Sequence, residues 1–180
     1  MKKIIVLFAS AFIMNASMAQ KPVEVGGAPM YAKKNIIENA VNSKDHTTLV
    51  AAVKAAGLVE TLQGAGPFTV FAPTNEAFDK LPAGTVGTLV KPENKALLTK
   101  ILTYHVVAGK WDAAAIAKLI KDGGGSATLK TVSGGTLKAW MKEDKLVLTD
   151  EKGGESTVTI KNVYQSNGVI HVVDMVLMPS

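Results

Sequence analysis

The stretch GPFTVFAPTNEAF, residues 66–78, decides the fold. Phe68, Val70 and Ala72 fall on one side of an extended chain, and Thr69 and Phe71 on the other. A segment apolar on both faces belongs inside a sheet covered on both sides. Pro73 lacks the N–H that a strand ladder needs. Thr74 then stands where a helix N-cap belongs, with Glu76 in the first turn, where a negative charge suits the helix dipole. Position 77 is alanine, where a complete capping box has Glu or Gln, so the cap is partial. The polar triplet Thr74-Asn75-Glu76 is therefore expected to open a helix with Ala77, Phe78 and Leu81 inward and Pro82 at its end. It lacks the G-x-S-x-G pattern and presents no nucleophile.

Upstream, Ile36, Ile37, Ala40 and Val41 recur at helical spacing. Ser43 or Asp45 is placed to cap a second helix bearing Leu49, Val50, Val53 and Ala56, and Gly57 to end it. Residues 58–62 add a short turn before Gly64 and Gly66. Residues 20–34 carry Pro22, Gly26, Gly27 and Pro29 without periodicity and are expected to form a loose N-terminal arm. Residues 1–19 join Lys2 and Lys3 to an apolar run and the small residues Ala16, Ser17 and Ala19, the pattern of a secretory signal peptide. That run is about 11 residues, against the roughly 20 a membrane span requires, so no transmembrane segment is expected.

Downstream, Pro92 opens a helix on which Leu97, Leu98, Ile101 and Leu102 share a face, followed by a strand over residues 104–109, YHVVAG. Asp112 caps a helix carrying Ile116, Leu119 and Ile120, and Gly123, Gly124 and Gly125 end it. The glycine run follows a helix instead of preceding one, which makes it a turn and not a phosphate cradle. Residues 128–132, 136–141, 145–148 and 157–163 alternate apolar and polar positions between turns, an antiparallel meander. The chain closes on NGVIHVVDMVLMP, residues 167–179, a turn and then a second strand apolar on both faces. Helices mostly first and strands mostly last give an α+β fold in one domain. About 160 mature residues can bury roughly 68–70% of the unfolded surface, which suffices for one core.

The formal charge of +5 falls to +3 once Lys2 and Lys3 leave. Every basic residue is lysine, and the bidentate arginine forks that read guanine edges and phosphates are absent, which argues against nucleic acid as a partner. With no cysteine, the chain has neither disulfides nor thiol chemistry and relies on packing. Of the three histidines, His46 adjoins Asp45 and points away from it, and His171 and Asp174 lie on opposite faces of one strand. His105 and His171 both precede Val-Val and would converge on a metal if their strands paired. Lys142, Lys145, Lys152 and Lys161 with Trp140 would form a face suited to sugars, or an ordinary solvated strand face.

Three blocks together resemble the fasciclin domain family of secreted bacterial proteins. Residues 66–82, GPFTVFAPTNEAFDKLP, are similar to its first motif, residues 167–179 to its second, and Tyr104-His105 to its tyrosine-histidine motif. In this order and spacing they span residues 35–180 as one complete domain. The resemblance implies helices packed on a mostly antiparallel β-wedge of about seven strands, with both motif strands inside. It implies no catalytic residues, cofactor or metal. It also implies a secreted adhesion or extracellular-matrix module, periplasmic or extracellular, that binds cell-surface or matrix proteins or polysaccharides. In some animal members an Asp-Ile pair before the second motif and the Tyr-His region are associated with integrin binding. That implies Tyr104, His105, Asn162 and Val163 as partner-binding candidates, with Asn162 departing from the pattern by lacking the carboxylate. The alternatives from other classes are a periplasmic or extracellular hydrolase using the Thr74-Asn75-Glu76 corner and the isolated histidines, and a small-ligand or metal carrier using His105 and His171.

Overall fold

The computed structural model describes residues 21–180, so the expected signal peptide at residues 1–19 lies outside the described residues. The chain runs through β1 (Val23–Val25), β2 (Ala28–Met30), α1 (Ile36–Ala40), a 3-10 turn (Lys44–His46), α2 (Thr47–Ala56) and α3 (Val59–Gln63). Next come β3 (Phe68–Pro73), α4 (Asn75–Asp79), α5 (Thr85–Leu89), α6 (Lys95–Tyr104), β4 (Val106–Ala108) and α7 (Ala113–Asp122). The meander follows as β5 (Ser126–Lys130), β6 (Thr136–Lys142), β7 (Lys145–Thr149), β8 (Glu155–Gln165) and β9 (Gly168–Val173).

Seven strands form one sheet in the order β4-β3-β9-β8-β7-β6-β5. All neighbours are antiparallel except β3 and β9, which run parallel from Phe68↔Gly168 to Pro73↔Val173. A bridge between Val107 and Thr131 brings the two ends of the sheet together, so the wedge is nearly closed. The two motif strands are its centre, as their two-faced apolar pattern requires: all six residues of β9 are buried. Val70, Ala72, Ile170 and Val172 pack under the layer of α1, α2 and α6. Phe71 and Val173 pack on the other side with Leu137, Leu148 and Ile116. The exposed i,i+4 ion pair of Lys118 and Asp122, at 2.6 Å, contributes only about 0.3–0.5 kcal/mol. Stability therefore rests on these two cores, in which one fully buried Phe or Leu contributes about 1.5–3 kcal/mol.

The parallel pair demands a close backbone crossing at its start. A Cβ on Gly168 would lie 2.1 Å from the carbonyl oxygen of Phe68, and one on Gly66 would lie 2.2 Å from that of Asn167. Gly168 opens β9 and Gly66 stands two residues before β3, because a side chain at either would prevent the approach.

The structure departs from the sequence-based expectations at several points: neither Ser43 nor Asp45 caps α2, whose N-cap position is His46, and Val41 is exposed. The expected loose arm at residues 20–34 is, over the described residues 21–34, a structured segment: β1 and β2 form a hairpin about Gly26 and Gly27, both at positive φ, and insert Val25 and Met30 into the helical core. Asn39 ties the following segment down, accepting from the Tyr31 amide at 3.0 Å and donating to its carbonyl at 2.9 Å. Leu97 is 49% exposed, leaving Leu98, Ile101 and Leu102 as the inward face of α6. Tyr104 completes α6 and His105 caps it, so the following strand is only three residues long.

Candidate functional site

The corner after β3 is a junction between helices. Thr74 Oγ1 accepts from the Ala77 amide at 3.2 Å, the expected N-cap. Asn75 reaches across the fold: its Oδ1 accepts from the Thr48 amide at 3.0 Å, and its Nδ2 donates to the Lys44 carbonyl at 2.8 Å, joining the start of α4 to that of α2. Glu76 is exposed, whereas His105 and His171 are buried, so the corner gathers no acid-base pair. Thr74→Ala is expected to lower stability by about 1 kcal/mol in urea denaturation, with partner binding per folded molecule unchanged. Binding lost at full stability would make the corner a contact site.

Tyr104 and His105 hold the helical layer to the sheet. The Tyr104 ring is fully buried. Its hydroxyl donates to the Thr136 carbonyl at 2.6 Å and accepts from the Glu151 amide at 3.1 Å. Burial pushes its pKa up to about 12, opposed by the Glu151 amide bond and aided by the charges of Glu151 and Asp150. His105 Nδ1 donates to the Ile101 carbonyl at 2.8 Å, while Nε2 accepts from the Leu177 amide at 3.0 Å. Burial pulls its pKa down to about 4, against the Ile101 bond and the charge of Asp150. The ring is thus neutral, its tautomer fixed by its two backbone partners.

His171 is built the same way. Nε2 donates to the Trp111 carbonyl at 2.9 Å, Nδ1 accepts from the Asn162 amide at 3.4 Å, and the ring stacks on Phe71 with centroids 5.6 Å apart. Burial first lowers its pKa, against the Trp111 bond and the charge of Asp112. The pairing that would bring His105 and His171 together does not occur, because β3 lies between β4 and β9. A ligating imidazole needs a free lone pair, and both rings spend theirs on backbone amides. Among the described residues no group of three His, Cys, Asp or Glu side chains stands close enough to hold a metal. The apolar cavity beside His105, lined by Leu49, Val53 and Ile170, holds about 60 Å³, well below the roughly 300 Å³ at which small-molecule pockets begin.

Of the remaining candidates, Val163 is wholly buried in the helical core. Asn162 is partly exposed and left-handed at φ 61°, a conformation asparagine tolerates. Its Oδ1 accepts from the Ala113 amide at 2.7 Å while Asp112 Oδ1 accepts from Ala115 at 2.8 Å, so the two side chains share the N-terminus of α7. The structure thus places Tyr104, His105 and Val163 in the interior and leaves Asn162 the one of the four that is partly exposed. Sequence reasoning missed Asn167, whose Oδ1 accepts from the Ile36 amide at 3.1 Å and whose Nδ2 donates to the carbonyls of Leu62 and Gly64, both at 2.8 Å. Its only local signal, an Asn-Gly dipeptide, reads as a turn.

The fasciclin domain profile matches residues 44–179. The protein sll1483 of Synechocystis sp. is 46% identical over 160 residues, covering 89% of this chain and 82% of that protein. Immunogenic protein MPB70 of Mycobacterium bovis is 38% identical over 145 residues, 78% of this chain and 66% of its own length. The cell surface glycolipoprotein MPB83 of the same organism is 36% identical over 166 residues, 89% of this chain and 68% of its own. Among solved structures, a FAS1 domain pair from the insect cell adhesion molecule fasciclin I superposes with a TM-score of 0.72 at 18% identity, over 81% of this chain and 51% of that one. The profile, the relatives and the shared wedge agree: this chain belongs to the fasciclin domain family.

Proposed function

We propose that this protein is a noncatalytic adhesion or matrix-interaction module that works outside the cytoplasm, in the periplasm or beyond it, on protein or polysaccharide partners. The observation that carries the proposal is a fasciclin domain in which the reactive groups of the motifs serve the architecture. Both lone pairs of His105 and His171 accept backbone amides, Tyr104 is sealed, and Thr74 caps a helix. Family membership supports it, since fasciclin domains are associated with cell adhesion and extracellular interactions. So does the likeness to the mycobacterial cell surface glycolipoprotein MPB83. No helix of the described residues is long and apolar enough to cross a membrane. Partner contact is assigned to the exposed surface around Asn162.

The test is retention. Folded protein should be held on fractionated cell envelope or extracellular polysaccharide well above a heat-denatured control. Equal recovery of both across all fractions would remove the adhesion reading.

A further inference from the structure

The sheet splits where β7 meets β8. The two strands pair through Thr149↔Glu155, Leu148↔Ser156 and Val147↔Thr157. Continuing that register would set Leu146 against Val158 and Lys145 against Thr159, and neither pair forms. Instead β7 turns away, and beyond Thr157 β8 pairs only with β9 among the described residues, through two register shifts between Val158 and Val163. The space left open is a cleft of about 620 Å³, walled on one side by Ala114 and Ala117 of α7. That volume is in the range of ligand-binding sites, about 300–1,000 Å³.

Two features define what fits it. The wall facing β8 is made of alanines, which leave room for a backbone to approach, and the edge of β8 from Val158 to Asn162 lacks a strand neighbour on that side. An unpaired edge is satisfied by another extended main chain, with side chains supplying only selectivity. The rim carries Lys145 and Lys161, both exposed, against the single carboxylate of Asp144. Lysine on an edge repels other lysine-bearing strands, and the strands of this chain's own meander, with Lys130, Lys138 and Lys142, are of that kind. It attracts a strand bearing glutamate or aspartate. We infer that the cleft between β7 and β8 is a docking site for an extended acidic polypeptide segment, which adds as a strand to the free edge of β8. The inference rests on the adhesion reading for its setting and narrows the partner to protein.

The test uses the full mature chain and a fluorescent peptide of about eight residues alternating valine and glutamate. A second peptide has lysine in place of glutamate. The glutamate peptide should bind saturably and slow amide exchange over residues 158–162, and the lysine peptide should not bind. The double variant Lys145→Glu, Lys161→Glu changes only exposed side chains and should match the wild type in urea midpoint while binding about tenfold more weakly. Absence of saturable binding, binding indifferent to the double variant, or protection appearing elsewhere would each overturn the inference. A dimer dissolved by the double variant, without peptide uptake, would overturn it in favour of a second copy. Polygalacturonate binding that depends on the same lysines, again without peptide uptake, would overturn it in favour of a glycan. Wild-type retention on envelope material separates the two proposals. If retention persists while the peptide fails, the cleft assignment falls and adhesion stands. If retention is absent, adhesion falls whatever the peptide does.

Discussion

Acidification through the window between pH 6.5 and about 4 is expected to remove about 3 kcal/mol of stability through His105 alone. The unfolded chain takes up a proton on this ring near pH 6.5, whereas burial delays uptake in the folded protein to about 4. Within the window the unfolded state binds more protons, so this ring's contribution is complete above 6.5, declines as pH falls, and is fully lost below about 4. His46 and His171 are also held below their ordinary value, burial being the largest cause in each, and act in the same direction. Glu151, lowered to about 2 by hydrogen bonds from Ser180 and Thr136, adds a separate loss that starts only below 4.5. A loss of this size is a large part of the 5–15 kcal/mol that a typical domain has. Urea midpoints measured across this range should fall steeply, and His105→Gln should start lower at neutral pH and fall less. A flat profile down to pH 4.5, or an identical slope in the variant, would refute the assignment of the buried ring.

The second large effect is expected at Asn167. Truncation to alanine strands a buried amide of Ile36 and removes the donor from the carbonyls of Leu62 and Gly64, while the side chain itself is only 6% exposed. Each stranded group costs about 1–3 kcal/mol, so a loss of about 3 kcal/mol or more is expected in Asn167→Ala. Asn167→Asp should recover little of it, because a carboxylate still accepts from Ile36 but cannot donate to two carbonyls. Chemical denaturation with both variants checks this. A cost under about 1 kcal/mol for the alanine variant would show that water replaces the amide.

These two predictions mark what the sequence could and could not show. The centre of the wedge was legible because β3 and β9 are apolar on both faces, and that pattern needs no knowledge of partners. The caps at Thr74 and Asp112 were legible because each bonds within its own first turn. The N-terminal hairpin was missed although Val23, Val25, Ala28 and Met30 alternate about a Gly-Gly turn, since three-residue strands and Pro29 weaken the signal. The amides were not legible at all. Asn39 bonds Gln165, and Asn167 bonds Ile36, at sequence separations of 126 and 131 residues. Nothing local to these residues distinguishes such a bond from an exposed turn. The same holds for Tyr104, His105 and Val163: the family motif singled them out, and only their tertiary neighbours show that they face inward.

The parallel pairing of Phe68 with Gly168 joins positions a hundred residues apart, and every other strand of the sheet is built outward from that seam. A chain emerging N-terminus first, from a ribosome or through a narrow conduit, can form its helices early but cannot zip this seam until its final strand arrives. Loop closure on that scale is slow relative to local structure. The unfinished chain therefore travels with Phe71 and its neighbours uncovered, and assembly comes as one late event. Stalling upstream of residue 168 would leave a sticky intermediate for holdase chaperones, whereas completion of the last six strand residues would release it.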